Sequence, residues 1–160
     1  MFSPLNRHTP SNELLSSKLF NESTFYDTFT KDLNDSLHEV IIESPFIAHR
    51  RLAQLLPTLH KLKDRKVRVV VNTRDPQEHD DEYLRNEAHQ SISSLQHLGV
   101  QVLFTVGHHR KLVIIDRHIL YEGILNVLSQ NHSSEVMRRV ESTQLAWQMV
   151  RFVEIDKFLN

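Results

Sequence analysis

Residues 112–115, LVII, are apolar at every position. Successive strand side chains point to opposite faces of a sheet. A run apolar on both parities therefore belongs to a strand covered on both sides, which calls for a layer above the sheet and another below it. The rest of the chain can supply both. Phe25, Phe29, Leu33 and Leu37 recur every four residues and mark one helix face. Leu52, Leu55, Leu56, Leu59 and Leu62 mark a second helix over residues 50–63, with Pro57 expected to kink or delay it. Asp80 and Asp81 start a third, whose core face is Leu84, Ala88, Ile92, Leu95 and Leu98 and whose stop is Gly99. Between these lie β-branched runs at residues 39–44 (EVIIES), 66–72 (KVRVVVN) and 100–106 (VQVLFTV).

After LVII, Asp116, Arg117 and His118 read as the turn of a hairpin returning through residues 119–122. Residues 123–134 read as loop, 135–140 as a further strand, and 143–158 as a last helix burying Leu145, Met149, Phe152 and Val153. Residues 1–20 read as a loose N-terminal arm ending in a helical turn, and residues 21–160 as one domain. Strands that first alternate with helices and then cluster predict an α/β/α sandwich around a mixed β-sheet, its early strands parallel and its late hairpin antiparallel.

The residues leading into LVII are not packing residues. Continued at strand spacing, His109, Lys111, Val113 and Ile115 share one face, with His109 and Lys111 about 7 Å apart. An imidazole beside an ammonium at the mouth of a buried strand reads as a site. His108, Arg110, Arg117 and His118 add to a basic cluster there, with Arg138 and Arg139 near in sequence. The whole chain is not basic: 19 Lys and Arg stand against 20 Asp and Glu. A polycation that coats nucleic acid is excluded, so affinity for phosphate has to come from that local cluster. With no cysteine, disulfides and thiolate metal sites are excluded too. No window reaches the ~18 apolar residues of a membrane span, and residues 1–15 lack the apolar core of an export signal. The sequence therefore reads as a soluble, cytoplasmic protein with no membrane partner.

The order His109-x-Lys111-x4-Asp116, followed by Gly123 and Asn126, resembles the signature of the phospholipase D superfamily, His-x-Lys-x4-Asp and then Gly-Ser-x-Asn. One position departs: Ile124 stands where the family has Ser. The resemblance implies a phospholipase D-like fold and a phosphodiesterase that needs no metal or other cofactor. It implies His109 as a nucleophile forming a covalent phosphohistidine, as imidazole has a free lone pair near neutral pH. It also implies Lys111 and Asn126 as donors to the phosphate oxygens. Asp116 completes the catalytic motif, although its opposite parity to His109 and the family pattern both point to holding the motif's loops. Glu135 is a candidate for the carboxylate that fixes a histidine tautomer. Arg110, Ser129 and Arg138 are candidate substrate contacts, Ser129 as a replacement for the missing family hydroxyl.

A second chemistry would use His109, Asp116 and His118 as three metal ligands, but strand parity sends His109 and Asp116 to opposite faces. As for substrate, small single-motif members of the superfamily are mostly nucleases, which favours an endonuclease acting on DNA or another polynucleotide. Near-neutral charge suggests targeting by a helicase or DNA-binding subunit. The family's chemistry uses two histidines. One motif copy per chain therefore implies a homodimer with a shared site. The alternatives are a lipid phosphodiesterase and a catalytically weakened nucleic-acid-binding or assembly module.

Overall fold

The structure, a computed structural model, describes residues 16–129 and 134–159. A seven-stranded mixed sheet runs through the middle. Its strands are β1 (Lys18–Asn21), β2 (Glu39–Glu43), β3 (Arg68–Thr73), β4 (Gln101–Phe104), β5 (Leu112–Ile115), β6 (Ile119–Gly123) and β7 (Val136–Glu141). Across the sheet they stand in the order β1-β7-β6-β5-β2-β3-β4. The three helix-connected strands β2, β3 and β4 are parallel, and every other pairing is antiparallel. This is the expected division, and it makes β5 the seam between the two halves.

The helices are α1 (Glu22–Asp35), α2 (His49–Asp64), α3 (Glu82–His97) and α4 (Thr143–Val153). LVII is buried at all four positions, and the parity argument explains how. Val113 and Ile115 join Val40, Ile42, Val69 and Val71 beneath α1, α2 and α3. Leu112 and Ile114 face the other way with Ile41 and Val70, against Ala146, Val150 and Val153 of α4. Three helices thus cover one face, and α4 the other. Local signals fix the helix starts. Asn21 caps α1 by accepting the Ser23 and Thr24 N–H groups while Thr24 reaches back to the Asn21 N–H, a reciprocal capping box. Asp81 caps α3 by accepting from Tyr83 and Leu84.

Four expectations need correction. Residues 18–21 form a strand rather than a helical turn: KLFN gains its conformation by pairing antiparallel with β7 at the sheet edge. The remainder of the predicted arm, residues 1–15, lies outside the described residues. Helix α2 runs through Pro57. α1 ends at Asp35, which leaves Leu37 exposed. α4 ends at Val153, because Glu154 adopts a left-handed φ of 54° that breaks the helix before a 3-10 turn. The buried stripe runs through Ala146, Val150 and Val153, with Leu145 and Met149 packed partly buried beside it, and Phe152 is 69% exposed.

A buried polar group knits the antiparallel half. Asp32 of α1 accepts two hydrogen bonds from Arg139, at 2.6 and 3.1 Å, and a third from the Tyr121 hydroxyl. Burial and the Asp32 carboxylate raise the Tyr121 pKa far above that of an ordinary phenol, keeping it a donor. Arg139 is therefore structural, although its neighbour Arg138 points to the opposite face.

Candidate active site

The parallel strands all end on the same side of the sheet, where open α/β sheets place their sites. β4 is the edge strand and β5 lies beyond β2, so the chain between them has to cross the ends of β3 and β2. At about 4.8 Å per strand this is a span of roughly 14 Å. Residues 105–111 make the crossing, which is why they are not strand and why β5 starts only at Leu112, not at His109 as strand periodicity predicts. Gly107 turns the chain at φ +64°, a conformation open to glycine, and its N–H donates to the Glu78 carboxylate at 3.1 Å.

Beneath this crossover lies a buried polar knot. Glu43 at the end of β2 and Asn72 near the end of β3 are buried, as is His108 above them. Glu43 accepts from Asn72 Nδ2 at 3.1 Å and from Arg110 Nε at 2.8 Å. The Arg110 backbone N–H donates to His108 Nδ1 at 3.2 Å. A backbone amide can only donate, so Nδ1 accepts and the ring proton sits on Nε2. That nitrogen is 3.1 Å from both the Glu43 carboxylate and the Asn72 carbonyl. Burial lowers the His108 pKa below the ordinary value; the nearby Glu43 charge opposes the shift without reversing it. His108 is a neutral cross-link between strand ends and loop.

The knot leaves His109 and Lys111 standing on its outer side. Both line a shallow, open pocket of about 510 Å³, together with Arg110, Leu112, Glu122, Gly123, Arg138 and Met149. Such a volume admits a phosphodiester and its two flanking groups. Lys111 Nζ donates to the His109 carbonyl at 3.4 Å. Gly123, opposite, donates its N–H to the Lys111 carbonyl at 3.3 Å. A Cβ on Gly123 would stand 2.4 Å from the Val136 carbonyl, so the close approach of β6 and β7 requires glycine there. Arg138 is ion-paired with Glu122 across the two strands. Arg110 reaches the pocket wall, but its guanidinium is committed to Glu43.

No motif in the sequence marks Arg74. It follows β3 directly, in a turn-rich loop at the site end of the sheet. Its guanidinium donates to the His108 carbonyl at 3.2 Å and reaches His109 Nδ1 at 3.3 Å. It also lies over the Phe46 ring, 5.0 Å from the centroid, with Glu78 at 3.7 Å. Arginine carries no acceptor. His109 Nδ1 therefore accepts, and the neutral ring holds its proton on Nε2.

The other expected residues are placed elsewhere. Asp116 lies past the far end of β5. Its carboxylate accepts three backbone N–H groups, from Leu37 at 2.8 Å, His38 at 2.8 Å and Glu39 at 2.9 Å. These bonds tie the β5–β6 turn to the start of β2, the loop-holding role its parity suggested. His118 donates to or accepts from Thr143 at that same end, so the alternative metal set of His109, Asp116 and His118 is not brought together. Asn126 is buried in the loop after β6. Its carbonyl accepts the Ser129 N–H at 3.0 Å, and its side-chain Oδ1 has no partner among the described residues. It does not line the pocket with His109. Glu135 accepts the Asn126 N–H at 3.4 Å and, among the described residues, no histidine. Ser129 lines a separate cavity, with Phe46, Ala48, His79 and Glu87. Ile124 is exposed.

A family model described as the cardiolipin synthase, PLD-like domain matches residues 29–155. The chain belongs to the phospholipase D-like family. Solved structures share its fold at low sequence identity. NucT from Helicobacter pylori matches at TM-score 0.69 and 16% identity, over 86% of this chain and 92% of that one. Nuc, a phospholipase D family member from Salmonella typhimurium, matches at TM-score 0.69 and 13% identity, over 86% and 90%. Phosphatidylserine synthase from Haemophilus influenzae matches at TM-score 0.69 and 12% identity, over 88% of this chain and 36% of its own. A search of curated sequences finds no match. Among the described residues, no helix of this PLD-like chain is long and apolar enough to cross a membrane.

Proposed function

We propose that this PLD-like chain is a metal-independent phosphodiesterase, an endonuclease acting on DNA, that works as a homodimer through a covalent phosphohistidine. The observation that carries the reading is the placement of His109 and Lys111 side by side at an open, cation-lined pocket, on a loop fixed from below by the Glu43–His108 knot. In the first step His109, its ring proton first moved from Nε2 to Nδ1, bonds through Nε2 to phosphorus as the bond to the leaving ester oxygen breaks. That oxygen takes a proton from the imidazolium of a second His109, supplied by the other copy. Water then attacks phosphorus and gives its proton back to the second imidazole, while the P–N bond breaks and His109 is released. Lys111 neutralises the non-bridging oxygens, where charge grows in the transition state, and Arg138 joins it on leaving its ion pair with Glu122. Asp116 belongs to the scaffold of this scheme.

One chain supplies one motif, so the two-histidine scheme needs an isologous contact that brings two pockets together. An open pocket at the surface suits that contact. A polynucleotide fits the local positive cluster on a chain of near-zero net charge, and a helicase or DNA-binding partner would supply the wider affinity. The test is cleavage of plasmid and single-stranded DNA in EDTA, with cardiolipin vesicles in parallel. DNA cleavage in EDTA that is lost in His109→Ala supports the reading. Cleavage only after a divalent ion is restored, or turnover of lipid alone, contradicts it.

A further inference from the structure

We propose that Arg74 is a further phosphate-binding residue of this site, a clamp that passes from His109 to the scissile phosphate when substrate enters. The inference rests on the phosphodiesterase reading and adds to it a residue outside the family's motif.

The argument starts from reach. The Arg74 guanidinium does not line the pocket in the free chain, but it is 3.3 Å from His109 Nδ1, so one swing of the side chain past that small ring brings it to a phosphate on the Nε2 side. The group is also underused. A guanidinium has five N–H donors in a planar fork suited to two oxygens of one phosphate. Among the described residues it makes hydrogen bonds only to the His108 carbonyl and to His109. Its Nε is buried without a hydrogen-bond partner among the described residues, since Glu78 stands 3.7 Å away, at ion-pair distance. Glu78 is itself held by the Gly107 N–H. The arginine is aimed and stiffened by the Phe46 ring below and this carboxylate beside it, and a pre-placed donor costs little to organise when charge appears.

The contact has a second consequence. With Nδ1 accepting from Arg74, the neutral His109 ring carries its proton on Nε2 and has no lone pair there for phosphorus. A phosphate oxygen that draws the guanidinium away frees Nδ1. The proton can then move through water from Nε2 to Nδ1, leaving the lone pair on Nε2. No atom is gained or lost. Substrate binding and activation of the nucleophile become one event.

The experiment compares the full-length wild-type chain with Arg74→Ala and Arg74→Lys. Two readouts are taken: steady-state DNA cleavage, and the NMR signal of the Arg74 Nε–H during titration with inorganic phosphate. The expected result for Arg74→Ala is a fall in kcat of about a hundredfold, with KM changed by less than threefold and melting unchanged. Arg74→Lys should recover part of kcat, and phosphate should shift the Arg74 Nε–H of the wild type in a saturable manner. Wild-type cleavage with Arg74→Ala within twofold of it overturns the inference and leaves the phosphodiesterase reading standing. An inactive wild type defeats the phosphodiesterase reading instead, and the titration then decides alone: an Arg74 signal that ignores phosphate overturns the clamp.

Discussion

Replacing Glu43 by Gln tests whether the buried knot holds the His109 loop. The carboxylate is fully buried and accepts from Asn72 and Arg110, with the His108 Nε2–H also in reach. An amide of the same shape keeps one acceptor but turns an NH2 toward neighbours that are themselves donors. A buried donor left unpaired costs about 1–3 kcal/mol. Loss of the charge-assisted bond to Arg110 adds about 1.5–3 kcal/mol at full burial. That second contribution has to be discounted, because the Arg110 side chain is 41% exposed and water can replace part of the interaction. The expected loss is about 3 kcal/mol. For a chain of this length that lowers Tm by roughly 6–12 °C. Urea denaturation followed by circular dichroism, with thermal melting alongside, measures it. A loss under about 0.5 kcal/mol would refute the reasoning: Glu43 would then be solvated in the native state, and the loop would owe its position to something else.

Two further predictions follow from the same geometry. His108 and His79 are both held below the ordinary histidine pKa, chiefly by burial, with Arg74 adding to the effect at each. The unfolded chain takes up protons as pH falls through about 6.5 while these folded rings stay neutral, so stability is full above that pH and is lost below it. Denaturation midpoints between pH 7.5 and 5 should therefore fall, and His108→Asn should flatten part of the slope; an unchanged slope contradicts the assignment. The proposed shared site predicts that an equal, fully exchanged mixture of wild type and His109→Ala keeps about a quarter of the activity per total protein, the share of wild-type pairs. Retention of half would mean that each chain works alone.

Much of the fold could be read from periodicity. Four β-branched runs and three helical faces stand in the sequence because each is set by local hydrophobic spacing, and LVII was apolar on both parities because two layers cover it. β1 was not legible. KLFN has no strand pattern of its own and depends on an edge of β7 more than a hundred residues away. At the site, the motif spacing brought out His109 and Lys111, but strand parity was the wrong reason for their proximity, as both sit on the crossover before β5. Arg74, Glu43 and Asn72 carry no motif signal because their link to His109 runs between the ends of strands distant in sequence. The one local hint was a glutamate closing an otherwise apolar strand: Glu43 follows Val40, Ile41 and Ile42 and is buried to the same degree. Asp116 was half legible. Its parity kept it from the phosphate, while its three backbone partners could not be read before the fold was known.

The most direct test of the central claim is to trap the intermediate. The wild-type chain is incubated in EDTA with a slowly turned-over DNA phosphodiester, quenched in base, digested and mapped by mass spectrometry. The expected result is an acid-labile, base-stable phosphoryl adduct on the peptide carrying His109, absent from His109→Ala at unchanged melting temperature. An adduct on another residue, or cleavage by His109→Ala at the wild-type rate, would contradict nucleophilic catalysis by His109.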